Sequence, residues 1–343
     1  MSDATAKKRS PGKIALIVLA VIVGIVLLFL LAVRLYFRLP VHSYYSNSKK
    51  TFTIPGLSDG MIVQGLAYDK ETDWFFVTGY HTDGSASQVS IVSKEGGKEA
   101  KRLTLSDSDG AAYAGHVGGI TVAGRYVYIT DDTGLMVYGY DDFKNAADGD
   151  SVKAQGKFST SAENGDILAV AFTHAEGGML YVGEFYREAN YPTPDNHKVT
   201  TAVGDSNPAL ILAFRLDDSA EYGIAPEIVS AYSIPGLVQG MCFDGDGRFC
   251  LSTSYGPSFS HLYVYNTPKQ EGTVTVLGQT APLYVLDSSA LAYDLKIAPM
   301  SEEIVFVDGR LYTMCEAASN KYIFGKFTSA KYCYATDLSA FEK

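Results

Sequence analysis

The stretch Ser233-Ile-Pro-Gly-Leu-Val-Gln-Gly-Met-Cys-Phe-Asp244 restates a pattern met earlier in the chain, at Thr53-Ile-Pro-Gly56 and Val63-Gln-Gly-Leu-Ala-Tyr-Asp69. Each copy runs into an alternating apolar segment, Trp74-Phe-Phe-Val-Thr-Gly-Tyr80 after the first and Arg248-Phe-Cys-Leu-Ser-Thr-Ser254 after the second. Self-similarity of this kind is the mark of a repeat architecture. Beyond residue 40 helical periodicity is almost absent. Apolar and aromatic residues alternate in short runs broken by Gly, Asp, Asn and Ser, which is the punctuation of strands and turns.

Aligning the runs predicts five units. Each opens with a strand of small and apolar residues, turns, and continues in a strand rich in aromatics. The pairs fall at 63–68 with 74–80, 117–122 with 126–131, 168–172 with 179–185, 238–243 with 249–254, and 303–307 with 311–316. Third strands are expected at 88–93, 135–140, 209–216, 261–265 and 322–327. Fourth strands are expected at 100–105, 152–158, 227–233 and 282–286. The fifth unit lacks a fourth strand of its own, and Lys50-Thr-Phe-Thr-Ile54 matches Ser230-Ala-Tyr-Ser-Ile234, a fourth strand. The N-terminal strand is therefore expected to complete the last unit and leave no open edge. Gly65, Gly118, Gly119, Ala169 and Gly240 let first strands crowd round a common axis. Two stacked sheets would need no such ring. The fold class read from this pattern is all-β, a β-propeller of five blades. A sixth blade would require further strands within 269–295 or the last eighteen residues.

Residues 14–33 carry no charge over twenty positions. That length suits a helix crossing a hydrocarbon layer of about 30 Å. The run exceeds a signal-peptide core and no small-residue cleavage site follows it, so it reads as a signal anchor. Lys7, Lys8, Arg9 and Lys13 precede it, while Arg34 and Arg38 follow. The bias places residues 1–13 in the cytoplasm and the domain, residues 50–343, outside, at the cell membrane. Residues 34–49 are expected as a short stalk. Six of the 28 basic and one of the 38 acidic residues lie in 1–38, which leaves 22 against 37, about −15, for the remainder. An acidic domain repels phosphate backbones and excludes nucleic acid as a partner class.

The four cysteines, Cys242, Cys250, Cys315 and Cys333, all lie in the expected external domain. Cys242 and Cys250 flank Asp244-Gly-Asp-Gly247 symmetrically, so a hairpin would place them face to face, as a disulfide or as two buried thiols. Asp-Gly here is the tight-turn signal rather than a calcium loop.

The units resemble the broad superfamily that includes NHL-repeat and lactonase-like propellers. The resemblance spans residues 50–330 and rests on Val63-Gln-Gly-Leu66 and Gly115-His-Val-Gly-Gly119. The stretch Pro299-Met-Ser-Glu-Glu-Ile-Val-Phe-Val-Asp-Gly-Arg-Leu-Tyr312, with Cys315-Glu-Ala-Ala-Ser-Asn-Lys-Tyr322, resembles membrane-anchored bacterial propellers of uncharacterised function. Lactonase-like enzymes hold calcium through a Glu, Asn and Asp set from several blades. That set has no position-by-position match here, so the resemblance assigns no catalytic residue.

Loops joining second to third strands, and fourth strands to the next first strand, share one face of a propeller. Loops on a rigid scaffold are the usual place for a ligand. The candidate ligand-binding residues there are Gln64, His81, His116, Asp131 and Glu184, followed by Tyr186, Gln239, Tyr255, Glu302 and Glu316. Gln64, Gln239 and Glu302 hold equivalent places at the start of first strands, pointing toward the channel. Tyr186 and Tyr191 sit on the long insertion that runs to Asn207, and offer flat faces to a sugar or peptide. No Gly-x-Ser-x-Gly elbow is present. The first reading is a non-catalytic, membrane-anchored module that binds a ligand or a cell-envelope protein, with no cofactor. The alternative is a hydrolase of the lactonase or esterase type, with calcium held by carboxylates from several blades. A third reading is an assembly factor that uses its edges.

Overall fold

The computed structural model describes residues 11–342. Most of the basic tail, residues 1–10 with Lys7, Lys8 and Arg9, lies outside the described residues. Helix α1 (Pro11–Arg38) is long and apolar enough to cross a membrane, and its large apolar side chains from Ile14 to Leu31 touch no core. Over residues 14–31 the helix is apolar on every side and packs on no part of the domain.

The segment expected as a stalk is packed instead. Phe37 is buried, with its ring stacked on Phe324 at 5.8 Å and edge-on to Phe259 at 6.3 Å. A 3-10 turn, Leu39–Val41, leads into α2 (His42–Ser46), where Tyr44 and Tyr45 meet the ring of Tyr334. The Arg38 guanidinium lies 3.8 Å from the Tyr45 ring centre. Aromatic side chains at 37, 44 and 45 bury more apolar surface against the domain than a free stalk would allow.

The chain then enters β1 (Ser48–Thr53). The first unit is β2 (Met61–Asp69), β3 (Trp74–His81), β4 (Gln88–Ser93) and β5 (Glu99–Ser106). The second is β6 (Ile120–Ala123), β7 (Tyr126–Asp131), β8 (Gly134–Gly139) and β9 (Ser151–Ser159), with the short helix α3 (Tyr140–Asn145) before β9. The third begins with β10 (Val170–Glu176) and β11 (Met179–Glu184). A long insertion holding the two-residue pair β12 (Val199–Thr200) and β13 (Ser206–Asn207) follows, and the unit ends with β14 (Ala209–Leu216) and β15 (Ile224–Ile234). The fourth holds β16 (Val238–Phe243), β17 (Phe249–Thr253) and β18 (Ser260–Tyr265). A hairpin of β19 (Lys269–Val276) and β20 (Gln279–Val285) intervenes before β21 (Leu291–Ile297). The last holds β22 (Ser301–Val307), β23 (Arg310–Cys315) and β24 (Tyr332–Thr336). The fold is all-β, a β-propeller behind one apolar N-terminal helix.

The N-terminal strand does complete the last unit. β1 pairs antiparallel with β24, Ser48 opposite Thr336 and Thr53 opposite Tyr332, in the order β22-β23-β24-β1. Two expected strands fall elsewhere. Residues 282–286 are not the fourth strand of the fourth unit, because β20 pairs parallel with β15 and extends the third unit. Ala281, Leu283 and Val285 are buried in that unit's core, and β21 takes the fourth-strand place instead. Residues 322–327 form no strand but end in a helical turn, Phe324–Phe327, and β24 is the true third strand. Phe324 is committed to Phe37 of α1, a partner that strand periodicity does not reveal. The cysteine hairpin is as expected: Cys242 pairs directly with Cys250, and all four cysteines are buried free thiols.

The innermost strands β2, β6, β10, β16 and β22 lie side by side round the axis. Close approach sets their composition. A Cβ on Gly240 would lie 2.5 Å from Glu303 Cα, and one on Gly119 would lie 2.7 Å from Phe172 Cα. The third unit places Phe172 at this point, so Ala169 is not its ring residue as the repeat suggested. Room for Phe172 comes from Gly183 next to it, where any Cβ would run into the ring.

Candidate functional site

Four inner strands break register at one level: β2 between Val63 and Leu66, β10 between Val170 and Phe172, β16 between Val238 and Gly240, and β22 between Ser301 and Ile304. A bulge frees backbone groups from the ladder and re-aims side chains. The freed N–H groups are then taken up by side chains, as a buried donor must be. Thr78 Oγ1 accepts from Gly65 N of the β2 bulge at 2.7 Å, and, just ahead of the unbulged β6, Thr130 Oγ1 accepts from Gly119 N at 2.8 Å.

Glu303 does the same across the axis. It is buried, and its Oε2 accepts from Leu66 N at 2.9 Å and Ile120 N at 2.8 Å, while Oε1 accepts from Thr173 N at 3.1 Å. One carboxyl group from the last unit thus ties the first three together, and Gly240 of the fourth packs on its backbone. Burial pushes its pKa well above the carboxylate range, against the pull of the three N–H groups.

Its neighbour Glu302 faces a second group of side chains. Glu302 is 1% exposed, and its Oε1 has no hydrogen-bond partner among the described residues. Beside it, Glu316 accepts from Gln64 Nε2 at 3.0 Å on one oxygen and from the Tyr322 hydroxyl at 3.1 Å on the other. Lys321 donates to the Tyr80 hydroxyl at 3.0 Å, and the Tyr80 ring lies against that of His116, centres 4.9 Å apart. Burial first, then the charges of Glu316 and Glu303, push the Glu302 carboxyl well above its ordinary value. Burial also raises Glu316, against the opposing effects of Lys321, Tyr322 and Gln64. Two carboxyl groups this close and dry cannot both hold full charge without a cationic or donating partner.

Of the candidates named from sequence, Gln64, Glu302, Glu316 and His116 come together in this cluster. The others do not join it. His81 Nε2 meets Gln88 Oε1 at 3.2 Å within the first sheet. Asp131 is held by Lys157 at 2.7 Å. Tyr186 packs against Gly236 and its carbonyl accepts from Leu237 N. Gln239 is half-buried at the β16 bulge. Tyr255 is exposed, with the Arg187 guanidinium 4.0 Å from its ring centre.

Glu184 belongs to a separate buried triad. His197 Nδ1 meets Glu184 Oε1 at 2.9 Å and Nε2 meets Asp166 Oδ1 at 3.0 Å. Both ring nitrogens face carboxyl oxygens, so the ring serves both as the doubly donating imidazolium, or as neutral imidazole when Glu184, whose pKa burial raises, holds the proton. Desolvation pulls the His197 pKa down, but the two carboxylates outweigh it and the net direction is up. Asp166 Oδ2 also accepts from Leu277 N at 2.7 Å, and Glu184 Oε2 from Leu210 N at 3.0 Å. His197 therefore pins the long insertion to the third unit and to the β19–β20 hairpin.

Sequence reasoning missed Tyr80, Lys321, Tyr322, His197 and the role of Glu303. Tyr322 was hidden by the strand expected at 322–327, and Lys321 stands just before that strand. A signal for Glu303 was present: it stands where other units carry Gly65, Gly119 and Gly240. Among the described residues, no group of three or more His, Cys, Asp or Glu is arranged to hold a metal ion.

No family model matches the chain, and no curated protein matches it. Solved structures with a similar course of backbone include three enzymes. Exo-β-1,3-galactanase from Phanerochaete chrysosporium, with β-1,3-galactotriose, is 11% identical over 86% of this chain and 66% of that one, with a TM-score of 0.46. Glutaminyl cyclase from Myxococcus xanthus is 10% identical over 84% and 94%, with a TM-score of 0.42. The PQQ-bound aldose sugar dehydrogenase from Streptomyces coelicolor is 15% identical over 78% and 76%, with a TM-score of 0.39. These neighbours are β-propeller proteins, and likeness at this level speaks to the fold alone.

Proposed function

We propose that the protein is a membrane-anchored propeller, its domain outside the cell, that binds a small polar ligand at the mouth of its axis without catalysing a reaction. The observation that carries this reading is the buried, unpartnered Oε1 of Glu302 beside Glu316. A buried acceptor left without a donor destabilises a fold by about 1–3 kcal/mol. A ligand bringing a donor, above all an ammonium group, would relieve that and neutralise the carboxyl pair. Gln64 and Tyr322 already hold Glu316 in place, and Tyr80 and His116 supply a flat wall. No activated nucleophile accompanies the carboxyl groups, which favours binding over chemistry.

The test is calorimetry on the full chain in detergent with small diamines, amino sugars, neutral sugars and calcium in parallel. An amine-bearing compound is expected to bind, with affinity falling about tenfold or more in Glu302→Gln as the charged contact is lost. Binding of neutral sugars alone, or hydrolysis of lactones or esters that stops on calcium chelation, would overturn the reading.

A further inference from the structure

The loops that carry the ligand cluster lie on the same side of the domain as the end of α1. Phe37 of α1 packs on Phe324, which follows Tyr322 in the β23–β24 connection, and on Phe259, in the β17–β18 connection. Both connections join second to third strands. If α1 crosses a membrane, this loop face is turned toward it.

A cleft of about 1000 Å³ opens at the junction, between the end of α1, the β1–β2 connection and the β23–β24 connection. Its lining includes Arg34, Lys50, Lys326 and Lys331. Among the described residues, none of the four has an acidic partner. Lys326 donates only to Ala318 O and Asn320 Oδ1, and Lys50 and Lys331 lie over the ring of Tyr332, 4.8 and 5.1 Å from its centre. The acids in the cleft are already engaged: Asp59 and Glu99 hold Arg102 at 2.6 and 2.8 Å. Four uncompensated cations in one cleft run against a domain that carries about fifteen excess acids.

Arg34 is the first charge after the uncharged run 14–33, so it marks the level where α1 leaves hydrocarbon for headgroups. Beside the cleft, Ile323 is 83% exposed, and Tyr36 and Leu39 are also exposed. An isoleucine bared to that degree on the membrane-facing side suits the acyl region just below a headgroup layer.

We infer that this cleft holds the phosphate headgroup of an anionic phospholipid and so seats the loop face on the bilayer. The inference rests on the membrane-anchor reading of α1. It requires Arg34, Lys50, Lys326 and Lys331 to act together on one phosphate, with Ile323 among the acyl chains.

The full chain is extracted in a zwitterionic detergent. Native mass spectrometry then reads the lipid retained after addition of phosphatidylglycerol or phosphatidylcholine. One phosphatidylglycerol per chain is expected, preferred over phosphatidylcholine by about tenfold or more. The preference is expected to vanish in the combined Lys50→Gln, Lys326→Gln and Lys331→Gln variant, with an unchanged melt showing that the fold survives. Lys331→Glu alone serves as the second variant, and should weaken retention. Equal retention of both lipids overturns the inference. So does displacement of phosphatidylglycerol by millimolar inorganic phosphate alone, which would make the site one for free phosphate. Flotation with vesicles of phosphatidylcholine and phosphatidylglycerol keeps the two readings apart. A chain that does not float loses the anchor, whereas one that floats without anionic preference loses only the cleft.

Discussion

Glu302 and Glu303 are consecutive, equally buried and identical in chemistry, yet their surroundings differ at every oxygen. Glu303 at the axis has both oxygens filled by backbone N–H groups from three units. Glu302 at the mouth has an oxygen that nothing fills and a second carboxyl group beside it. The β22 bulge turns two neighbouring side chains into different environments, where an unbroken strand would send them to opposite faces of the sheet. Burial alone therefore does not distinguish the two acids. The number of donors that reach each does, since a saturated carboxyl group acts as a staple and an unsaturated one leaves an acceptor open.

The largest effect should come from Glu303→Leu. Three buried N–H groups would lose their acceptor at once, at about 1 kcal/mol or more each. Urea denaturation should show a loss of at least about 3 kcal/mol. A variant as stable as the parent would break the contrast by showing that the staple is idle.

Glu302→Gln should move stability the other way. The folded state raises the pKa of Glu302, so it binds the proton more tightly than the unfolded chain does. The stability this contributes is present below the unfolded pKa of about 4.3, and is lost as pH rises through the folded value. The parent should thus weaken as pH rises above about 4.3. Glu302→Gln should flatten that slope and gain on the order of 1 kcal/mol at pH 8, read by denaturation at each pH. A steeper slope or a net loss would place Glu302 with the staples.

Tyr322→Phe tests the edge of the site and should have the smallest effect. It removes one half-buried donor to Glu316, so stability should fall by less than about 1 kcal/mol by thermal melt. Amine binding should weaken only a few-fold while Gln64 remains in place. A loss as deep as that of Glu303→Leu would mean that the β23–β24 connection holds the propeller together rather than its ligand.

Much of this contrast was legible beforehand. Val63-Gln-Gly-Leu66 and Val238-Gln-Gly-Met241 mark the ring of glycines, and Ser301-Glu-Glu-Ile304 is their counterpart with a glutamate in the glycine place. The alternation that marked first and second strands held because it reflects one buried and one neighbouring face within each sheet, a local property. Glu302, Glu316, Gln64 and His116 were legible as loop-face candidates for the same reason. Lys321 and Tyr322 were not, because Lys321-Tyr-Ile-Phe324 alternates as a strand does and only packing on α1 gives it another shape. Residues 282–286 alternate as well, and their sequence carries no sign of which sheet they join.

By itself the sequence determined the repeat, the closure of the last unit by residues 48–53, the apolar N-terminal helix and the acidity of the domain. Each follows from composition and periodicity within a few residues of chain. Tertiary structure decided that β20 extends the third unit, that residues 34–46 pack on the domain, that His197 is locked between two carboxylates, and that Glu303 is saturated while Glu302 is not. These depend on which groups meet across 13 to 289 residues of chain. Hydrogen bonds and contacts at that separation are set by how the units close round the axis, a condition no local pattern carries.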